Sequence, residues 1–145
     1  MKELSKSYFY RLISKHHFSK DTMVKDGCIQ ILEYLLSKDV DVESSFYFED
    51  LRKHIHKDID NEDFIYSVFF LCRKDMNVLQ QEFTVWNNEN SSFEHYLDKN
   101  HIYEILKSQD FCNPISGESL KATDFENEVL TFFCPTRFFV ENKSE

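Results

Sequence analysis

Six histidines and four cysteines are the residues of this chain that could most directly bind a metal ion. A structural zinc site usually takes ligand pairs with about two to four residues between cysteines or three to five between histidines. His16-His17 and His54-x-His56 do not fit, because residues one or two positions apart on a helix do not face each other. We therefore expect no metal and no other cofactor. We expect reduced thiols, as in a cytoplasmic protein, at Cys28, Cys72, Cys112 and Cys134.

Acidic side chains and one serine turn are the remaining groups that could perform catalysis. Four acids lie between Asp58 and Asp63, a cluster that could hold magnesium in a nuclease. Their position at the start of a predicted helix has a simpler explanation, because carboxylates cap a helix and complement its positive end. The turn Asn113–Glu118 contains Ser116 but lacks the G-x-S-x-G sequence of a hydrolase nucleophile. We predict that this chain alone is not an enzyme.

A basic and aromatic segment at the N terminus is a candidate nucleic-acid contact. Residues 1–20 contain five bases and one acid, a net charge of +4, whereas the whole chain carries −9. Basic side chains can bind phosphates while aromatic rings stack on bases. The alternative is an amphipathic helix whose aromatic side chains pack inward and whose lysines stay solvated. Under the nucleic-acid hypothesis, the contact residues are Lys6, Tyr10, Arg11 and Lys15.

Aromatic residues in the second half of the chain are candidates for a protein interface. Trp86 falls on the polar side of a strand-like alternation, and an exposed Trp is a frequent anchor at interfaces. Two pairs of neighbouring Phe residues exceed what one face of a short element can bury. The alternative is that the C-terminal elements cover one another. The predicted partner-binding residues are Trp86, Phe132, Phe133, Phe138 and Phe139.

The spacing of apolar residues predicts the elements that position these side chains. An apolar stripe with helical spacing predicts the clearest helix at residues 23–38. Gly27 lies inside this helix at a cost of about 1 kcal/mol relative to Ala, which indicates a close packing contact there. Phe48–Ile55 predicts a second helix. Asp60 is the expected N-cap of a third helix that continues to Cys72.

The rest of the chain combines strand and helix patterns. Alternation of apolar and polar residues predicts a strand at Val78–Trp86. Residues 92–97 fit either a returning strand or the start of a helix, and residues 99–108 fit a helix. A capping-box pattern at Thr123-x-x-Glu126 predicts a helix that ends at Cys134-Pro135. A last strand is expected at Thr136–Val140.

The order strand, helix, turn, helix and strand over residues 44–87 resembles the winged-helix superfamily. With the preceding helix and a second wing strand, the resemblance covers residues 23–97. It implies a mainly α fold with a small β component: a winged helix-turn-helix with an N-terminal helix and a C-terminal α+β extension. The predicted domains are a basic N-terminal helix or arm at 1–22, the winged-helix-like domain at 23–97, and a C-terminal helical extension at 98–145 packed on it.

The charge of this region is opposite to what binding of a duplex requires. Residues 44–92 hold nine acids and five bases, a net charge of −4. Within them, Asp60–Met76 hold four acids and two bases. A surface that binds a duplex needs cations, because these displace the counterions of the phosphates. We therefore expect the winged-helix architecture to serve protein contacts.

Acidic winged-helix proteins with extra C-terminal elements are similar to accessory subunits of bacterial multisubunit machines. Examples are the small partners of SMC-like ATPases and the middle components of three-component ABC-ATPase antiviral defence modules. The resemblance implies dimerisation or clamping of a larger ATPase, with catalysis in another chain. We expect a non-enzymatic adaptor in complex assembly. Its expected partner is a larger protein subunit such as an ATPase, and a homodimer is a further option.

Two alternative functions remain open from the sequence. A DNA-binding regulator or DNA-sensing subunit would use the N-terminal basic segment. An acidic phage-type inhibitor would mimic nucleic acid and would need its acids in one contiguous stripe. No apolar run approaches the ~18 residues of a membrane span, and the first residues lack the apolar core of a secretory signal. We therefore expect a cytoplasmic protein without membrane contact.

Overall fold

Helices and a small sheet make up the fold. The computed structural model describes residues 6–15 and 22–143, and the side chains of residues 6, 7 and 22 fall outside this description. In these ranges the elements are α1 (Lys6–Lys15), α2 (Thr22–Ser37), α3 (Phe48–Arg52), α4 (Asn61–Leu71), β1 (Leu79–Asn87), β2 (Ser92–Tyr96), α5 (Lys99–Ser108), α6 (Ala122–Glu128), β3 (Val129–Pro135) and α7 (Arg137–Asn142). The strands form one antiparallel sheet with the order β2-β1-β3, so the predicted combination of helices with a small β component is confirmed. None of the helices in these ranges has the length and apolar character that crossing a membrane requires.

Internal contacts divide the chain into two compact units. The first unit contains the residues up to Gln80 and those from Phe133 onward, and the second unit contains Gln81–Phe132. The strands β1 and β3 each begin in one unit and end in the other. The predicted domain boundaries after residues 22 and 97 stay predictions.

The core of the first unit lies along α2, which packs against α4 and α1. The predicted apolar stripe of α2 is buried, and the observed bounds of this helix agree with the predicted 23–38 within one residue. The ring of Phe9 in α1 lies 4.9 Å from the ring of Phe139 in α7. Burial of apolar surface on this scale is the main favourable contribution to folding. Fully buried side chains of this core include Phe9, Ile13, Ile31, Leu32, Leu35, Val68, Leu71, Phe133 and Phe139.

The N terminus of α4 begins as its sequence predicts. The Asp60 side chain accepts a hydrogen bond from the backbone N–H of Asp63 at 2.8 Å, so the predicted N-cap is confirmed. The helix α3 also has a capping carboxylate, because Asp50 accepts a hydrogen bond from the backbone N–H of Tyr47 at 2.9 Å. It is shorter than the predicted Phe48–Ile55, since α3 ends at Arg52.

A β-hairpin, two helices and the first residues of β3 form the second unit. The strands β1 and β2 pair so that Phe83 lies opposite Tyr96 and Trp86 lies opposite Phe93. Residues 92–96 are therefore a strand, which decides between the two alternatives for this segment. The observed bounds of α5 agree with the prediction of 99–108. The small apolar core of the second unit contains Phe83, Val85 and Ile102.

The prediction for the C-terminal segment is wrong in two places. The predicted helix up to Cys134 ends at Glu128, and its capping box does not form because the N-cap is Lys121. The following residues form β3, in which Phe133 pairs with Phe46 through two backbone hydrogen bonds of 2.8 Å. The predicted last strand at Thr136–Val140 is instead the start of α7. Thr136 caps this helix by accepting a hydrogen bond from the backbone N–H of Phe139 at 3.0 Å.

Candidate functional site

The outer face of α4 exposes large apolar side chains. Ile65 is 41% exposed, Tyr66 is 56% exposed and Phe69 is 38% exposed. The opposite face of the same helix buries Phe64 and Val68 in the core. The helix is apolar around most of its circumference, so packing against α2 leaves part of its apolar surface uncovered. Exposed apolar side chains grouped in this way mark a candidate contact surface.

A groove of about 450 Å³ lies beside this exposed face, between α3 and α4. The Phe48 ring on the α3 side contacts other aromatic rings edge to face, with centroid distances of 5.0 Å to Phe133 and 6.1 Å to Phe69. Edge-to-face contacts of this kind hold a ring in one orientation. The groove therefore has a fixed aromatic side. Its lining residues are Phe48, Glu49, Arg52, Lys53, Asn61, Phe64 and Ile65.

Two cations lie at this groove. The Arg52 guanidinium donates a hydrogen bond from Nη2 to the Ile59 carbonyl oxygen at 2.6 Å and lies 5.4 Å from the centre of the Phe64 ring. Lys53 is exposed, and neither cation forms an ion pair with a carboxylate in the part of the chain that the structure describes. One carboxylate, that of Glu49, also lines the groove. Because the two cations outnumber this carboxylate, the groove can accept a negatively charged group together with an apolar group.

The charge of α4 itself is unfavourable for nucleic acid. Its sequence contains Glu62 and Asp63 in the first turn and no basic residue. A helix that enters a DNA groove lies among phosphates and needs cations around it. The charge of α4 is therefore unfavourable for contact with a duplex.

The predicted partner-binding aromatics lie mainly in the core. Phe133 and Phe139 are fully buried, and Phe132 is 8% exposed. Phe138 is partly buried and packs edge to face against Tyr8, with a centroid distance of 6.0 Å. For these residues the structure agrees with the alternative interpretation, in which the C-terminal elements are covered by other parts of the fold. The expectation that they form an exposed surface is corrected, because β3 pairing and α7 packing bury them.

Trp86 is the remaining predicted partner-binding residue. Its ring is partly exposed and packs edge to face on Phe93, with a centroid distance of 5.2 Å. Its indole N–H donates a hydrogen bond to the Asn88 side-chain oxygen at 2.7 Å. The polar group of the indole is thus already satisfied within the hairpin, and only part of the ring is free to contact another molecule.

The predicted nucleic-acid residues lie on α1. Arg11 and Lys15 are exposed one helical turn apart, whereas the Lys6 side chain lies outside the described residues. Burial and, to a lesser extent, the Glu33 carboxylate raise the pKa of the Tyr10 hydroxyl above its ordinary value. Tyr10 is only partly exposed, so this aromatic packs against the core while the cations stay solvated. This arrangement fits the amphipathic alternative, and the nucleic-acid contact stays a prediction.

A buried carboxylate in the second unit connects three elements. Glu82 of β1 is 6% exposed and lies 2.8 Å from Nε2 of His95 in β2 and 2.9 Å from Nζ of Lys99 in α5. Burial by itself raises the pKa of Glu82, but the hydrogen bonds and charges of Lys99 and His95 outweigh it and lower the pKa below its ordinary value. No spacing pattern in the sequence indicates this cluster, since its members come together only through strand pairing and the position of α5. It serves to hold the hairpin to α5.

Comparison with known proteins adds no family assignment. No protein-family model, curated protein or solved structure matches the chain. The resemblance to winged-helix proteins therefore stays a prediction that rests on element order. The exposed residues of α4 were not among the partner-binding residues predicted from the sequence, although apolar residues lie around most of the circumference of this helix.

Proposed function

We propose that this protein is a non-enzymatic adaptor that binds a larger protein subunit through α4 and the groove beside it. The observation that carries the proposal is the exposure of Ile65, Tyr66 and Phe69 on a helix without a basic residue. A minority of interface side chains, enriched in aromatic residues such as Tyr, contributes more than about 1 kcal/mol each to binding. Burial of this surface against a partner would therefore contribute favourably to the free energy of binding.

The chemistry of the groove specifies the partner segment. An apolar side chain would fill the space between Phe48 and Ile65, where the lining is mainly apolar. A carboxylate next to it would pair with Lys53 or with the Arg52 guanidinium, both of which lack an acidic partner in the described part of the chain. The proposed occupant is thus a segment that combines apolar and acidic residues, supplied by a larger subunit of the complex.

We further propose that the region from α2 to β2 is a winged helix-turn-helix unit. The support is the order of α2, the Phe46 bridge, α3, α4 and the β1–β2 hairpin. On this proposal α4 occupies the position of the recognition helix. The acidic first turn of α4 then explains why the unit would bind protein. An SMC-like or ABC-type ATPase of a bacterial defence system is the proposed class of partner.

Photo-crosslinking at matched positions tests the adaptor proposal. A benzoylphenylalanine residue is introduced at Tyr66 and, as a control, at Tyr103, a tyrosine of the second unit that is 41% exposed. We expect the residue at position 66 to crosslink one partner protein in the native cells. The same product should be absent with the residue at position 103. Adding Phe69→Ser should weaken the crosslink, because this substitution removes part of the apolar surface.

Light scattering of the purified chain completes the experiment. A covalent dimer from position 66, together with a dimeric mass, would assign the surface to a second copy and replace the larger subunit as occupant. A strictly monomeric chain whose two crosslinker positions give identical products, or none, would contradict the adaptor proposal.

A second candidate function is nucleic-acid binding through α1. The observation in its favour is the cavity of about 250 Å³ on this helix, whose lining includes Tyr8 together with the exposed Arg11 and Lys15. We expect an Arg11→Glu/Lys15→Glu variant to lose any salt-sensitive binding of an oligonucleotide in a gel shift. A Lys107→Glu/Lys121→Glu variant has the same change of charge away from α1 and is the control. Binding that is equal in both variants, or absent in the unmodified chain, would end this candidate.

A further inference from the structure

A cavity of about 270 Å³ lies in the second unit, between the sheet and the helices α5 and α6. Phe83 of β1 and Ile102 of α5 form buried parts of its wall. Phe111 and Phe125 form another side, with their ring centroids 5.1 Å apart. Leu106 lines the cavity and is 46% exposed, so the cavity communicates with solvent. Four elements thus build an apolar space that a small molecule can enter.

Two polar side chains also line this space. They belong to Glu126 on α6 and Thr131 on β3. Glu126 is exposed and forms no ion pair with a cation in the described part of the chain. A carboxylate at the edge of an apolar cavity favours a ligand that is cationic and donates hydrogen bonds.

The size of the cavity limits the ligand further. Engineered apolar cavities of about 150 Å³ bind benzene, and drug-sized ligands usually occupy about 300 Å³ or more. A volume of about 270 Å³ therefore fits one ring, or a short branched chain, with a linker of a few atoms. Nucleotides and large cofactors do not fit within it.

We propose that this cavity binds a small amine with one aromatic or aliphatic group. The ammonium group pairs with Glu126, and the apolar group lies against Phe83, Ile102 and Phe125. This site belongs to the second unit and is independent of the adaptor proposal, which rests on residues of the first unit.

Ligand titration of the full chain tests the proposal with 2-phenylethylamine as the probe. We expect saturable binding with a Kd of about 0.1–3 mM, as is usual for a ligand of nine heavy atoms. Replacing the ammonium by a carboxylate, in 3-phenylpropionate, should weaken binding to the unmodified chain about tenfold or more. In ¹H–¹⁵N correlation spectra, the probe should shift the amide signals of Leu106, Phe111 and Thr131 and leave those of α3 and α4 unchanged.

Three variants separate this site from nonspecific binding. Glu126→Gln should weaken binding of the amine about three- to tenfold and should reduce the preference over 3-phenylpropionate. Ala122→Leu places a larger side chain at an exposed position that lines the cavity and should abolish binding without unfolding the chain. Asp124→Asn removes an exposed carboxylate of the same helix that does not line the cavity and should leave the Kd unchanged.

Several outcomes would overturn the proposal. The first is the absence of saturation at about 10 mM probe, because such binding would be weaker than a built site of this size gives. The second is a set of signal shifts confined to α3 and α4. The third is equal binding by the unmodified chain and a folded Ala122→Leu variant. Equal losses in Glu126→Gln and Asp124→Asn would also contradict it, because general negative charge would then account for the attraction. Circular dichroism of each variant establishes that it is folded.

Discussion

Gly27 in α2 faces Ser67 in α4 so closely that a Cβ atom at position 27 would overlap the Ser67 hydroxyl. The hydroxyl is held in place, since Ser67 Oγ lies 2.8 Å from the Asp63 carbonyl oxygen and 3.0 Å from the Val24 carbonyl oxygen, and its single proton is donated to one of them or shared between them. Ser67 is fully buried, which leaves it no space to move away. The predicted close contact at Gly27 is thereby confirmed. The absence of a side chain at position 27 allows α2 and α4 to approach each other.

We expect Gly27→Ala to destabilise the fold although Ala is the better helix former. The helix propensity gain is about 1 kcal/mol, and overpacking a core contact costs about 1–3 kcal/mol. The free energy of unfolding measured in urea should therefore fall by up to about 2 kcal/mol, because the clash is with a fixed side chain. A Gly27→Ala/Ser67→Ala double variant should regain part of the loss. A Gly27→Ala variant that is more stable than the unmodified chain would show that α2 and α4 do not pack this closely.

Sequence patterns predicted correctly those elements that depend only on residues close together in the chain. The helical stripe of α2 and the Asp60 cap of α4 each depend on residues within a few positions, and both are confirmed. The segment around Phe132 and Phe133 has no such local cause. A short apolar run fits a helix or a strand equally well. Its pairing with Phe46, which is distant in the chain, decides for a strand.

The candidate surface shows a similar division between local and tertiary causes. That α4 is apolar around most of its circumference follows directly from its composition. Which of its apolar residues stay exposed depends on how many neighbours cover it. In the first unit α2 covers the face with Phe64 and Val68, and Tyr66 stays 56% exposed. No pattern of spacing contains that information.

Cys28 should be the least reactive cysteine of the four. It is fully buried, and burial raises the pKa of its thiol to about 12, with a smaller opposing contribution from the contact with Ser67. The thiolate is the reactive form, so the folded protein should protect Cys28 from iodoacetamide at pH 8. Peptide mass spectrometry should show slower labelling of Cys28 than of the partly exposed Cys112, and equal labelling of both in urea. Equal rates in the folded protein would contradict the burial of Cys28.

Glu82 should make the stability of the fold depend on pH in the acidic range. Its pKa is lowered in the folded state, so its contribution is present above the ordinary carboxyl pKa and is lost as the pH falls through the folded value. Glu82→Gln should reduce the free energy of unfolding by about 1–3 kcal/mol at pH 7. The difference from the unmodified chain should shrink below about pH 4.5.

Urea unfolding between pH 3 and pH 7 measures this effect, with Glu89→Gln as the control. Glu89 is exposed near the turn of the hairpin, and its replacement should change the free energy by less than about 0.5 kcal/mol at each pH. A constant difference between Glu82→Gln and the unmodified chain over the whole range would contradict a carboxylate held by Lys99 and His95.

Asn113 should be sensitive to the smallest change of its side chain. It is 1% exposed, and its Oδ1 accepts hydrogen bonds from the backbone N–H groups of Ile115 at 2.8 Å and Ser116 at 3.1 Å. Backbone N–H groups only donate, so this fixes the orientation of the amide. The Nδ2 group therefore faces acceptors, the Trp86 carbonyl oxygen at 2.9 Å and the Glu128 carboxylate at 2.8 Å.

Asn113→Asp replaces this donor by an oxygen that faces two acceptors. We expect the free energy of unfolding to fall by about 2–4 kcal/mol at pH 7, because a second carboxylate would lie beside that of Glu128. Repulsion raises the pKa of the pair in the folded state, so part of the loss should disappear as the pH is lowered toward 4.5. An Asn113→Asp/Glu128→Gln variant restores a donor opposite an acceptor and should recover at least half of the stability in urea unfolding at pH 7. If the double variant were no more stable than Asn113→Asp alone, the contact between Asn113 and Glu128 would not anchor the turn to α6.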